Sequence, residues 1–250
     1  MGFTENKSKK RVLLIIIIAV LVLLIIFFGL VMAKVISLNE LFLSDNAVKG
    51  VDISSYQGKV DMKKLAEQNI RFVYIKATEG SSYSDEYFQI NWENALKTDL
   101  PSGAYHFFSF DSSGITQAEN YIRNVGNIKG RLLPVVDVEY YADKRKNSPE
   151  KSEVIKELHN YINTIENAYG VMPMIYTTQD FRKKYLLEEF RDCQLWIRSV
   201  YYTPDFGVGK DYTLWQYCDT AVLDGYCGDE KHIDMNVLNK EITVKDLIVI

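Results

Sequence analysis

The stretch Leu132-Leu133-Pro134-Val135-Val136-Asp137-Val138-Glu139 is apolar until its last three positions, where two acids stand two residues apart. On a strand, residues two apart share a face, so Asp137 and Glu139 point the same way. Like-charge repulsion and partial loss of water raise the pKa of one such carboxyl, and a raised acid donates a proton at neutral pH. Alone, an Asp-x-Glu also fits two solvated acids at a strand end. Two more acids change that balance: Asp52 stands near the end of the apolar run Val48–Ile53, and Asp234 lies within His232-Ile233-Asp234-Met235-Asn236. Such a carboxyl cluster does glycosidic acid and base work or holds a metal. A metal would prefer histidines, yet His106 and His232 alternate with apolar neighbours and read as core or supporting residues. Cys193, Cys218 and Cys227 have no zinc-site spacing, so neither a metal nor another cofactor is expected.

Aromatic and amide groups accompany the acids in Tyr56-Gln57, Tyr105-His106-Phe107 and Trp215-Gln216-Tyr217. Aromatic faces stack on pyranose rings, and amides bond hydroxyl and acetamido groups. Tyr56, Gln57, Tyr105, Trp215, Gln216 and Tyr217 are therefore candidate sugar-binding residues, although any one aromatic fits a core equally well.

The elements that must position these groups alternate between apolar runs and helical patterns, the signature of a parallel sheet with crossover helices. Strands are predicted at Val48–Ile53, Phe72–Ala77, Gly103–Phe108, Leu132–Glu139, Met172–Tyr176, Leu195–Ser199, Thr213–Tyr217 and Ile233–Val237. Helices are predicted at Met62–Gln68, Glu86–Leu96 and Ile115–Val125. A further helix opens with Ser148 as N-cap and Pro149 at its first position, and Gly170 closes it. The links before the last two strands are short or rich in Gly and Asp. The fold class is α/β: an irregular TIM-like barrel with eight strands and fewer helices, whose reactive groups gather where strand C-termini meet.

Residues 12–33 form an unbroken run without charge, roughly 33 Å long as a helix and sufficient to cross a bilayer. Lys7, Lys9, Lys10 and Arg11 precede it, which keeps the N-terminus in the cytoplasm and sends the remainder outside. The chain divides into a basic cytoplasmic segment (1–11), a transmembrane anchor (12–33), a linker (34–47) and a catalytic barrel (48–250). A cleaved secretory signal is the competing reading, because Val31-Met32-Ala33 resembles a cleavage site. Of the net charge of −4, residues 35–250 carry about −8, a field that would not draw in polyanions. The basic cluster is explained by topology, so no nucleic-acid partner is expected. Outside the cell, Cys218 and Cys227 could close a short loop or remain free thiols.

From about Lys49 to Leu238 the chain resembles glycoside hydrolase family 25, the lysozymes also called muramidases. The likeness rests on six motifs in the family's order: GVDISSYQG at 50–58, FVYIKATEG at 72–80, GAYHFF at 103–108, PVVDVE at 134–139, LWQY at 214–217 and IDMNV at 233–237. The resemblance implies an irregular β/α barrel that hydrolyses the β-1,4 bond between N-acetylmuramic acid and N-acetylglucosamine. It implies Glu139 as general acid, Asp137 as nucleophile or acetamido-orienting carboxylate, and Asp52 and Asp234 as groups that tune the pair or orient substrate. Peptidoglycan strands and the membrane become the expected partners, with secretion or conjugation machinery as candidates. Arg198, where a small residue is frequent, and the loop Asp219–Lys231 depart from the common form. A chitinase-like barrel would carry acids where this chain has Val135 and Leu132. The remaining alternative is a non-catalytic glycan-binding scaffold at the membrane.

Overall fold

The computed structural model describes residues 2–204, 209 and 211–250. Met1 and the side chains of residues 2–8, Lys7 of the basic segment among them, lie outside the described residues. The strands are β1 (Lys49–Ile53), β2 (Ile70–Glu79), β3 (Tyr83–Ser84), β4 (Ser102–Phe107), β5 (Val135–Asp137), β6 (Met174–Thr178), β7 (Leu195–Arg198), β8 (Leu214–Ala221) and β9 (Ile233–Leu238). They pair in the order β1-β9-β8-β7-β6-β5-β4-β2-β3, and a further β1–β2 pairing closes a barrel of eight strands. β3 is a short antiparallel extension of β2. The long helices are α1 (Gly2–Met32), α2 (Met62–Glu67), α3 (Phe88–Leu96), α4 (Gly114–Val125) and α5 (Lys151–Tyr169).

All eight predicted strands exist; two of them, and the start of one helix, differ from expectation. β9 runs antiparallel to both β8 and β1, so the sheet is not wholly parallel. The link from β8 to β9 contains no crossover helix, and without one the chain can only turn back. β5 is shorter than the predicted Leu132–Glu139, because Pro134 has no N–H to donate and the Leu133 N–H instead bonds the Leu247 carbonyl of the C-terminal segment. Ser148 does not cap α5: the helix starts two residues beyond Pro149, with Glu150 as N-cap, and the Ser148 hydroxyl faces the Arg145 carbonyl. Gly170 does close α5, in the left-handed conformation at φ 72°.

The period of two along each strand sorts the residues into two cores. Phe72, Tyr74, Val135, Met174, Trp196 and Leu214 point inward and fill the barrel, while Val73, Ile75, Val136, Ile197 and Trp215 point outward under the helices. Gly50 and Gly103 leave space for the interior rings, since a Cβ at either position would lie within 2.5 Å of Phe72 or Tyr74.

The final third of the barrel has little helical cover, and residues 34–47 supply it. This segment passes along β8 as a strap. Lys34 pairs with Asp219 near the end of β8, and Leu43 and Ala47 pack on the outer core. Asn39 is fully buried, and its Nδ2 donates to the carbonyls of Ser199 at 2.8 Å and Tyr217 at 2.9 Å. The indole of Trp215 also donates to the Ser199 carbonyl, so loss of the Asn39 amide deprives Tyr217 most. Asn39→Ala is expected to lower the unfolding free energy by about 2 kcal/mol, as for other lost buried hydrogen bonds. Urea unfolding followed by tryptophan fluorescence checks this.

Candidate active site

The inward residues are apolar near the base of the barrel and polar near its mouth. At the mouth lies a cavity of about 330 Å³ whose lining includes Asp52, Asp137, Glu139 and Asp234. The four carboxyls predicted from the sequence therefore converge. Asp52 sits near the C-terminal end of β1, Asp137 ends β5, and Glu139 lies just past it. Asp234 reaches the same mouth because β9 is reversed: its second residue lies directly across from Asp52.

Asp52 is the best supported of the four. Its Oδ1 accepts from Asn236 Nδ2 at 2.7 Å and from Gln216 Nε2 at 3.1 Å. Those amides are held in turn, because Trp196 Nε1 donates to Asn236 Oδ1 and the Tyr176 hydroxyl donates to Gln216 Oε1. Burial pushes the Asp52 pKa up to about 6 against the pull of these donors. Burial and the neighbouring Asp52 push Asp234 up to about 8, so the two carboxyls hold a proton above the usual carboxylate range.

Asp137 is held well above the usual carboxylate range, first by burial and then by the charge of Glu139. Glu139 is raised by burial, while Arg198 opposes that shift. The pair therefore retains a proton more readily than free carboxylates do. The Asp137 Oδ1 is buried without a hydrogen-bond partner among the described residues, although the side chain lines the cavity.

The candidate sugar-binding residues divide. Tyr56 and Tyr105 line the cavity, Tyr56 being two-thirds exposed. Gln57 lines it too, but both ends of its amide are engaged, by the Ser54 N–H and the His232 carbonyl. Gln216 lies behind Asp52 and acts through it. Trp215 and Tyr217 belong to the outer core, away from the cavity. The run Trp215-Gln216-Tyr217 cannot present all three side chains to one mouth, because adjacent strand residues point to opposite faces.

The same alternation separates Tyr105 and Phe107, which line the cavity, from His106 between them. His106 is buried against Tyr161, its Nδ1 and Nε2 engaged with Thr78 and Gln117, and burial lowers its pKa to about 4. Lys76, Tyr176 and Trp196 complete the wall. For Lys76 and Tyr176 the sequence carries a signal, since each shares inward parity with Tyr74 or Met174 two residues before it on the same strand.

The loop after β8 folds back on the Tyr56–Gly58 turn through Gly228 N–H to the Gln57 carbonyl and Glu230 N–H to the Tyr56 carbonyl. This brings Glu230 and His232 to the rim. The three cysteines are free thiols in this arrangement.

A closed, irregular eight-stranded barrel with buried carboxyls at its mouth is the architecture of a glycosidase, and comparison with known proteins agrees. The profile of the glycosyl hydrolases family 25 matches residues 51–226. A family 25 glycosyl hydrolase from Bacillus anthracis superposes with a TM-score of 0.76 at 45% identity, over 83% of this chain and 96% of that one. A family GH25 lysozyme from Aspergillus fumigatus gives 0.70 at 29% identity, over 81% of this chain and 100% of that one. Lysozyme M1 of Streptomyces globisporus is 27% identical, over 78% of this chain and 68% of its own length. The chain belongs to glycosyl hydrolase family 25, and it is a glycosidase.

The raised carboxyls make stability fall with pH. A carboxyl whose folded pKa exceeds its unfolded value stabilises the fold at low pH, and that contribution is gone once pH passes the folded pKa. His106, depressed by burial, acts in the opposite sense below its unfolded value of 6.5. From there to about pH 8 His106 is neutral, so the remaining decline is that of the raised carboxyls, Asp234 at about 8 among them. Melting temperature is expected to fall across that window, and Asp234→Asn is expected to reduce the slope, as measured by calorimetry.

Proposed function

We propose that this glycosidase cuts the β-1,4 bond between N-acetylmuramic acid and N-acetylglucosamine in peptidoglycan, with Glu139 as general acid. The observation that carries the reading is the Asp137–Glu139 pair at the C-terminal end of β5, both lining the cavity and both raised by burial. Lysozyme M1 and two relatives named N,O-diacetylmuramidase support the substrate class.

In this mechanism Glu139 gives its proton to the glycosidic oxygen as the bond from that oxygen to the anomeric carbon breaks. The acetamido oxygen of the muramyl sugar attacks the same carbon, while the Asp137 carboxyl accepts a hydrogen bond from the acetamido N–H. Water then opens the cyclic intermediate, and Glu139, now a carboxylate, accepts the proton of that water. Direct attack by Asp137 on the same carbon is the alternative route. Asp52 and Asp234 hold the floor of the site, while Tyr56 and Tyr105 supply ring and hydroxyl contacts to the sugar.

We also read α1 as an uncleaved, single-pass anchor with its N-terminus in the cytoplasm and the barrel outside. Its apolar stretch Lys9–Met32 spans 24 residues, none of them buried against the barrel, and opens with Lys9, Lys10 and Arg11. The same helix would serve as a secretory signal if it were cleaved. An anchored enzyme would open wall near the membrane, which would serve secretion machinery, conjugation machinery or remodelling during growth.

Incubating the full chain in detergent with purified peptidoglycan, then reducing the new ends with borohydride, identifies the bond by mass spectrometry. Fragments ending in reduced N-acetylmuramic acid are expected. Reduced N-acetylglucosamine would assign a different bond, and retained wall without new reducing ends would mean a binding protein. Glu139→Gln is expected to slow release about 10²–10⁴-fold with the fold intact. Arg198→Ala removes the cation that lowers the Glu139 pKa. The acid then stays protonated to higher pH, and the alkaline limb of the pH–rate profile is expected to move upward.

A further inference from the structure

The strap does more than cover β8, because it joins the end of α1 to the rim of the barrel mouth without a free hinge. α1 closes through the Ala33 N–H to Gly29, the Lys34 N–H to Val31 and the Val35 N–H to Leu30, with Lys34 in the left-handed conformation at φ 57°. Lys34 then pairs with Asp219, the partner of Arg198, and five residues later Asn39 is fastened inside the barrel wall. Val31, in the last turn of α1, shares a small cavity with Val200 and Tyr201, which follow β7 on the mouth side. The Lys34 ammonium lies 5.6 Å from the centre of the Tyr201 ring. Tyr201 therefore stands at the level where α1 ends.

Val35, Tyr201 and Tyr202 are exposed by 70%, 39% and 48%. Apolar and tyrosine side chains beside a lysine, at the depth where an apolar helix ends, match the composition of a membrane–water interface. We propose that the rim around Tyr201 and Tyr202 is a lipid-contact surface that seats the β7–β8 side of the barrel mouth on the bilayer entered by α1. The inference rests on the reading of α1 as an uncleaved anchor. In the closed strand order, β2 and β4 lie opposite β7 and β8. Glycan then enters from the β2–β4 side, and the enzyme works at a fixed height above the membrane instead of sweeping the wall on a flexible tether.

The test uses the full chain in vesicles of phosphatidylcholine and phosphatidylglycerol carrying brominated acyl chains. Trp92, Trp196 and Trp215 are buried in the barrel, so wild type sets the background. Tyr201→Trp and Tyr202→Trp, examined separately so that failure of one to fold leaves the other, are expected to raise lipid quenching roughly twofold over that background. Vesicle flotation without excess quenching in either folded variant overturns the lipid contact and leaves the anchor standing. A chain that does not float with the vesicles overturns both. Release of muramyl ends by the same samples reports separately on the proposed activity.

Discussion

Burial of carboxyls at one end of a closed barrel is the constraint on which the rest of this structure depends. Closure turns every second residue of each strand inward, and the interior has space for only a few side chains per layer. Toward the base the layers are apolar, with Phe72, Tyr74 and Leu214 held in the smaller core. Toward the mouth the same parity delivers Asp52, Asp137 and Asp234, which the surrounding side chains shield from solvent. Desolvation is the first cause of the raised pKa at all three, as it is at Glu139. The packing itself thus favours the protonated forms, and Arg198 opposes that shift at Glu139.

Much of the surrounding architecture serves to keep those acids in register. The amide pair Gln216 and Asn236 bridges β8 and β9 to Asp52, and Tyr176 and Trp196 lock the amides from β6 and β7. Five strands therefore converge on one carboxylate. Reversal of β9 is part of the same design, since a parallel last strand would carry Asp234 at the opposite end of the barrel. The strap from Lys34 to Ala47 compensates for the helix missing over β8, so the family profile, which begins at residue 51, leaves out a segment that this chain's barrel uses as wall.

The strands and the Asp137–Glu139 pair were legible in the sequence because both follow from a period of two and from apolar runs. The errors came where that period was not applied strictly. Trp215 and Tyr217 were grouped with Gln216 by adjacency, although adjacency on a strand means opposite faces. Trp196 and Tyr176 were overlooked although they share the inward parity. The direction of β9 was not legible, because periodicity is the same in both directions and only the absence of a crossover helix hinted at it. The role of Asn39 left no local trace, since a single amide in a polar segment gains its meaning only from Ser199 and Tyr217, far away in the chain. Ser148 failed as a cap for a physical reason of the same kind: the Pro149 carbonyl is bonded by the Tyr185 hydroxyl, a tertiary contact that holds the entry to α5.

The most direct test of this account is a carbon-13 NMR titration of the Asp and Glu side-chain carboxyls, with signals assigned through Glu139→Gln and Asp137→Asn. The Asp137–Glu139 pair is expected to titrate in two coupled steps, at least one of them clearly above the ordinary carboxylate range, and each substitution is expected to alter the step of the remaining partner. Two independent carboxyls titrating in the ordinary range would contradict it, because the barrel would then hold no proton for Glu139 to give.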